Sequence, residues 1–206
     1  LEMSGAIGTE QLKKLPGMVE DRRRNARKFL DLMAGYPQLR TQQEIGESSW
    51  FGFSMIVQPD APFTRADVVR VLTAHGANVL LFWIIFFEIA VLYFASAIIL
   101  NSRLAGPRWA WAGFVLMVLG ALITNVAVLQ GESTVMFTSY RPMMAKPHFY
   151  LGIILFAVGA LIGVGVFFAT LVVAKSEQTY KGSIPLVTFG ALTARIIAVF
   201  TIASGA

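Results

Sequence analysis

The sequence contains no cysteine, which excludes disulfide bonds and metal sites built from thiolates. Charge is also scarce: 14% of the residues are charged, whereas an average soluble domain has about a quarter. The shortage lies in the second half, because residues 1–74 carry ten Lys/Arg and nine Asp/Glu but residues 75–206 carry only seven and three. We therefore expect a soluble segment over residues 1–74 and a membrane-embedded part over residues 75–206.

The net charge of +5 arises mainly in the second part, where few acids accompany the bases of the loops. Bases between apolar segments set the topology of a membrane protein and contact anionic lipid. The charge therefore predicts a lipid bilayer as partner and gives no indication of nucleic-acid binding.

Four long apolar runs dominate the second part, each with at most one charged residue. They cover residues 77–100, 109–130, 148–174 and 184–204. Because a membrane-crossing helix needs about 20 apolar residues, the sequence predicts an all-α polytopic membrane bundle of about four helices, preceded by a small soluble α+β segment. The first and third connections carry four of the six loop bases, so the positive-inside rule places them in the cytoplasm.

The soluble segment has weaker local patterns. Residues 4–15 and 18–33 have helical periodicity and are separated by a Pro-Gly pair, and residues 48–57 are rich in aromatic and β-branched side chains, as strands are. Thr64 followed by Asp67 predicts a capping box at the start of a third helix.

The two ends of the sequence lack the usual terminal signals. The chain begins at Leu1 with mixed polar sequence, without the basic start and apolar run of a secretory signal, and stops at Ala206 directly after an apolar run. We therefore expect a chain that is cut at both ends.

Three stretches of the second part carry a family resemblance. They are Leu72-Thr73-Ala74-His75-Gly76, residues 136–151 (MFTSYRPMMAKPHFYL) and residues 183–206 (SIPLVTFGALTARIIAVFTIASGA). In content and spacing they resemble helices II to V of subunit I of the heme-copper oxygen reductases (cytochrome c oxidases), in the type B branch that includes archaeal terminal oxidases.

That resemblance implies an integral protein of a prokaryotic cytoplasmic membrane. The complete protein would pass electrons through a low-spin heme to a heme–copper centre, reduce O₂ to water and translocate protons, with subunit II and the remaining oxidase helices as partners. The sequence stops before the copper ligands, the active-site tyrosine and the other heme ligands of the family. The resemblance thus implies an oxidase fragment that is inactive alone and does not hold heme by itself.

The first part resembles a different family. Met3–Gly8, the run Arg22-Arg23-Arg24-Asn25, Ser49–Phe53 and residues 64–76 resemble the C-terminal region of pyridoxal-phosphate sugar aminotransferases, in the branch of sugar-nucleotide 3-dehydrases. The large domain with the cofactor phosphate site and the catalytic Lys or His is missing, so we do not expect pyridoxal phosphate to bind. Because the two resemblances meet at Leu72–Gly76, we expect a chimera of two truncated parts.

Two candidate site residues lie in the first apolar run or just before it. By resemblance, His75 is an axial ligand of the low-spin heme, and its alternative is an ordinary interfacial residue; no other metal ligand is predicted. Glu88 is a candidate for a proton path, because a carboxylate within the membrane is costly unless it has a use or a partner. The alternative for Glu88 is a structural hydrogen bond to a neighbouring helix, for instance to Thr124 or Asn125.

Three further residues are candidates for contact with heme propionates or with the membrane interface. Arg195, inside the last run, would meet a propionate, pair with Glu88 or extend to the membrane surface. Tyr140 and Arg141 would lie near propionates or anchor the chain at the interface with an aromatic belt.

Two other function classes remain open from the sequence. One is a soluble pyridoxal-phosphate enzyme with the apolar part as a passenger, and the other is a cofactor-free membrane scaffold or transporter. A transporter would show an internal repeat or broken helices, and the sequence shows neither. Gly159 and Gly163 form a small-residue pair that predicts close packing between helices.

Overall fold

The computed structural model describes residues 2–133 and 144–204, with side chains over 8–133 and 144–200. The chain divides into two compact units, Leu1–Val68 and Val69–Ala206.

The first unit begins with one long helix, α1 (Glu2–Met33), instead of the two helices that the sequence predicted. A proline inside a helix removes one backbone hydrogen bond, which usually ends or kinks it. Here α1 continues through Pro16, because strong helix formers such as Glu, Gln, Leu and Lys occupy the preceding turn. The predicted break at Pro16-Gly17 is therefore wrong.

A two-stranded antiparallel sheet follows, made of β1 (Leu39–Thr41) and β2 (Met55–Val57), with Arg40 opposite Ile56. Only the end of the predicted strand 48–57 is extended and paired. Trp50 has a φ of 51° and is 3% exposed, so the chain bends there to bury its indole. The prediction took this aromatic enrichment as a sign of strand, whereas it reflects a local core.

The capping box at Thr64 is confirmed. The backbone N–H of Thr64 donates to the carboxylate of Asp67 at 2.8 Å, and the N–H of Asp67 lies 3.3 Å from the Thr64 hydroxyl. This reciprocal cap starts α2 (Arg65–Ala77). His75 therefore lies in the third turn of this helix.

From this cap, one continuous helix of 34 residues, Arg65–Ile98, runs through α2 and α3 (Ile84–Tyr93). Two short π-helical stretches, Asn78–Trp83 and Phe94–Ile98, interrupt its α-helical hydrogen bonding. We call Arg65–Ile98 the first membrane helix. The later helices are α4 (Pro107–Leu129), α5 (Pro147–Ser176) and α6 (Leu186–Ser204).

Within the described residues, three helices are long and apolar enough to cross a membrane: the first membrane helix, α4 and α5. The fourth apolar helix, α6, has 19 residues. The predicted fold class, a helical membrane bundle preceded by a small segment with helix and strand, is confirmed.

Glycines hold α4 and α5 close together. A Cβ on Gly113 would lie 2.9 Å from the carbonyl oxygen of Gly159, and one on Gly120 would lie 2.5 Å from that of Gly152. Both pairs belong to one antiparallel register, seven residues apart on each helix. Lipid removes the hydrophobic driving force between membrane helices, so such close van der Waals packing stabilises their association.

Aromatic side chains fill the space between these helices and the first membrane helix. Phe82 and Phe156 are each 2% exposed, with ring centroids 4.7 Å apart, and pack with Met117. Farther along, Leu92 and Phe167 form a second cluster with Val164.

Polar contacts tie the first and third connections together at one end of the bundle. Arg103 donates through Nε to Glu177 at 3.0 Å, and the hydroxyl of Thr179 donates to the carbonyl oxygen of Leu100 at 2.8 Å. The first membrane helix and α5 therefore end on the same side of the bundle, so successive helices run in opposite directions, as the sequence predicted.

Candidate functional site

The imidazole of His75 is exposed on the first membrane helix and has no hydrogen-bond partner in the part of the chain that the structure describes. Beside it, a Cβ added to Gly76 would meet nothing within 4 Å. The preceding residue, Ala74, packs on the cluster of Ala127 and Phe149. The helix is thus held on one side by packing, while space is open around His75 and Gly76.

The other histidine of the chain lies close to a carboxylate. Nε2 of His148, in the first turn of α5, lies 2.6 Å from Oε2 of Glu132, and Nζ of Lys146 donates to Oε1 of the same carboxylate at 2.5 Å. The hydrogen bond from Lys146 is the main cause that lowers the pKa of Glu132, followed by the charge of Lys146 and then that of His148. This cluster closes the connection between α4 and α5, together with a bridge between Ser133 and Ala145.

These observations test whether the residues fit a heme. Heme iron in electron-transfer proteins is held by axial ligands such as imidazole, and His75 presents an unpartnered ring beside open space. Among the described residues, no group of three or more His, Cys, Asp or Glu side chains is placed to hold a metal ion. Among the described residues, His75 is thus the histidine whose ring is exposed and unpartnered, whereas His148 lies against Glu132.

The structure brings Glu88 and Arg195 together. Nη2 of Arg195 donates to Oε2 of Glu88 at 2.9 Å, and the arginine side chain is 10% exposed. An isolated charge at the centre of a membrane helix costs about 2.5–3.5 kcal/mol on insertion scales, so the pair reduces a cost that each residue would carry alone. Nε of Arg195 is buried and has no partner among the described residues.

The alternative partners that the sequence suggested for Glu88 are not its partners here. The hydroxyl of Thr124 donates to the carbonyl oxygen of Gly120 in its own helix at 2.9 Å. Asn125 instead forms a reciprocal amide pair with Asn78: Nδ2 of Asn78 donates to Oδ1 of Asn125 at 2.5 Å, and the return bond is 3.1 Å.

The sequence analysis did not predict this amide pair, nor the buried hydroxyl of Thr188, which donates to the carbonyl oxygen of Ala95 at 2.7 Å. A signal was present, since Asn78, Asn125 and Thr188 are polar residues inside apolar runs, where unpaired polar groups are costly. What the sequence lacked was the relative rotation of the helices, which decides which polar groups meet.

Tyr140 and Arg141 lie outside the described residues, so their predicted roles stay predictions. Gly159 packs against Gly113, and Gly163 lies against Ile89 of the first membrane helix. The close packing predicted for this glycine pair is confirmed.

Comparison with known families agrees with this architecture. The family profile described as "Cytochrome C and Quinol oxidase polypeptide I" matches residues 39–206. Since the match covers well over half of the sequence, the chain belongs to this family, and it is an integral membrane protein by the same evidence and its apolar helices.

The chain is also similar to sugar-nucleotide dehydratases over a shorter length. It is 55% identical over 76 residues to GDP-4-keto-6-deoxy-D-mannose 3-dehydratase from Yersinia pseudotuberculosis, which covers 37% of the chain and 19% of the relative. The enzyme of the same name from Escherichia coli O55:H7 is also 55% identical, with 20% of its length covered. A dTDP-4-dehydro-2,6-dideoxy-D-glucose 3-dehydratase from Saccharopolyspora spinosa is 34% identical over 77 residues, 17% of that enzyme.

The chain thus spans about a fifth of the length of the curated relatives it matches. The residues covered by the oxidase family match and the 76 residues of the dehydratase match add up to more than the 206 residues of the chain, so the two matches overlap. No solved structure matches the chain significantly. The chain thus matches the oxidase family over residues 39–206 and is similar to sugar-nucleotide dehydratases over 76 residues, as the two resemblances predicted.

Proposed function

We propose that the membrane part, taken from about residue 75 onward, is a fragment of the catalytic subunit of a heme-copper terminal oxidase, with His75 as one axial ligand of its low-spin heme. The observation that carries this proposal is the exposed, unpartnered imidazole of His75 beside the open space at Gly76, in a chain of the oxidase subunit I family. A bound heme would supply one-electron transfer toward the site of oxygen reduction.

The chain's own contribution is to hold one imidazole in place. To bind iron, His75 would have to be neutral and use one ring nitrogen, which would leave the other nitrogen free to donate a hydrogen bond. The packing of Ala74 on Phe149 and the amide pair of Asn78, one turn beyond His75, limit the rotation of this part of the helix.

The remaining candidates take supporting roles in the proposal. Arg195, whose buried Nε–H has no partner among the described residues, is a candidate for contact with a propionate, as are Tyr140 and Arg141. Glu88 is proposed to belong to a polar path for protons, although its observed partner is Arg195. In the complete protein, subunit II and further oxidase helices in a prokaryotic cytoplasmic membrane would surround this bundle.

The similarity to dehydratases favours a second candidate for the first part, a fragment of a pyridoxal-phosphate sugar-nucleotide enzyme. Since about four fifths of that enzyme has no counterpart here, we do not expect residues 1–74 to bind the cofactor or act on a sugar.

The heme assignment is tested by inserting residues 72–206 into a complete type B subunit I in place of the corresponding helices. Redox difference spectra of the purified protein should show a low-spin heme with two imidazole ligands, and His75→Ala should abolish that spectrum. His148→Ala is the matched control, and should leave the low-spin spectrum in place. A low-spin spectrum that survives His75→Ala would show that His75 is not a ligand.

A further inference from the structure

Two polar contacts join α6 to the first membrane helix in a single antiparallel register. Thr188 donates to the carbonyl oxygen of Ala95, and Arg195 donates to Glu88. The two contacts are seven residues apart on both helices, which is about two turns and returns to the same face. The face of α6 that carries Thr188 and Arg195 is therefore the face that packs on the first membrane helix.

Among the apolar helices, α6 is the one least suited to enter a bilayer alone. This 19-residue helix carries a base, Arg195, near its middle. A charge in the middle of a membrane helix opposes insertion unless it is paired or reaches the interface. The side chain of Arg195 is 10% exposed and points to Glu88, so it does not extend to the surface.

The sequence supplies a partner of opposite charge for Arg195. The four apolar runs of the sequence contain one acid and one base, Glu88 in the first and Arg195 in the last. They are separated by 107 positions in the chain, yet they meet in the structure. The first membrane helix precedes α6 in synthesis and carries the counter-charge at the depth where Arg195 arrives.

We infer that Glu88 is the docking group for insertion of α6: the helix is stable across the bilayer only when Arg195 pairs with this carboxylate. This role is independent of heme binding, because it needs only the two helices. It predicts that loss of the Glu88 charge leaves α6 outside the bilayer, while loss of both charges restores insertion.

The absence of native cysteine makes a labelling test possible on the full chain in membrane vesicles. One protein carries a single cysteine at Ser176, before α6, and a second protein carries a single cysteine appended after Ala206. A membrane-impermeant maleimide then reports the side on which each cysteine lies. When α6 crosses the bilayer the two cysteines are on opposite sides, and when it does not they are on the same side.

With native Glu88 and Arg195 the two cysteines should label from opposite sides. Glu88→Gln should lower the ratio of inserted to non-inserted α6 by about tenfold or more. The double variant Glu88→Gln/Arg195→Leu and the charge swap Glu88→Arg/Arg195→Glu should both restore labelling from opposite sides. Glu177→Gln removes a carboxylate that pairs with Arg103 outside the helices; it is the matched control and should leave labelling from opposite sides in place.

Two results would overturn the inference. The first is unchanged labelling from opposite sides in Glu88→Gln, since α6 would then insert without its partner. The second is a defect in Glu88→Gln that persists when Arg195→Leu is added, because Glu88 would then act by some means other than neutralising Arg195.

Discussion

Gly120 and Gly152 meet where α4 packs on α5, and a Cβ on Gly120 would lie 2.5 Å from the carbonyl oxygen of Gly152. The same register brings Gly113 against Gly159, so two contacts without side chains set the distance between the helices. Any larger residue at these positions must push the backbones apart.

The Gly120→Ala variant should therefore weaken the bundle. The added methyl group has no space, and overpacking of this kind costs about 1–3 kcal/mol. Unfolding of the purified chain in mixed micelles, followed by circular dichroism as the fraction of SDS rises, measures the change.

Gly165 provides the matched control for this prediction. It lies in α5, and an added Cβ would meet nothing within 4 Å. Gly165→Ala should be neutral or stabilising, since alanine favours the helix over glycine by about 1 kcal/mol. Equal losses of stability in the two variants would argue against the close helix contact.

The amide pair of Asn78 and Asn125 should contribute to the association of the first membrane helix with α4. Hydrogen bonds between membrane helices are worth about 0.6 kcal/mol on average and up to about 1.7 kcal/mol, and this pair makes two. A double-mutant cycle with Asn78→Leu and Asn125→Leu in the same micelle assay isolates the coupling.

A coupling energy near 1 kcal/mol is expected from the two bonds. If the two substitutions were additive, with no coupling energy, the amides would not interact in the folded protein.

The carboxylate of Glu132 should titrate below its ordinary pKa of 4.5, because Lys146 donates a hydrogen bond to it. A pKa that is lower in the folded than in the unfolded state adds stability above the unfolded value. That stability is lost as the pH falls from about 4.5 through the lowered folded pKa. The closure of the α4–α5 connection should weaken over that acidic range.

Carbon NMR of the labelled carboxyl group of Glu132 in micelles measures this pKa. Lys146→Met should raise it toward 4.5, whereas Lys181→Met, at an exposed lysine of another loop, should leave it unchanged. An unaltered pKa in Lys146→Met would contradict the role of Lys146.

The apolar helices were predictable from the sequence because apolar runs of about 20 residues with almost no charge are typical of membrane-crossing helices. Their starts were less predictable: the cap of Thr64 and Asp67 begins the first membrane helix at Arg65, well before the apolar run at residue 77. Local signals also competed in the first unit, where Pro16 did not end α1 and burial of Trp50 overrode strand formation.

The candidate site was predictable only in part. Pairing with Glu88 was among the alternatives considered for Arg195, since two opposite charges inside apolar runs favour contact. Whether Asn78 meets Asn125 depends on the relative rotation of two helices. Whether His148 lies against Glu132 depends on the path of the loop between α4 and α5. Neither is encoded in a local sequence pattern.

The central claim is that the first membrane helix, α4 and α5 cross the membrane in alternating directions. Single cysteines at Ser102, Met144 and Ser176 test it most directly, since these positions lie in the first, second and third connections and the chain has no native cysteine. With an impermeant maleimide, the account predicts that Ser102→Cys and Ser176→Cys label from the cytoplasmic side and Met144→Cys from the opposite side. Labelling of all three from one side of the membrane would contradict it.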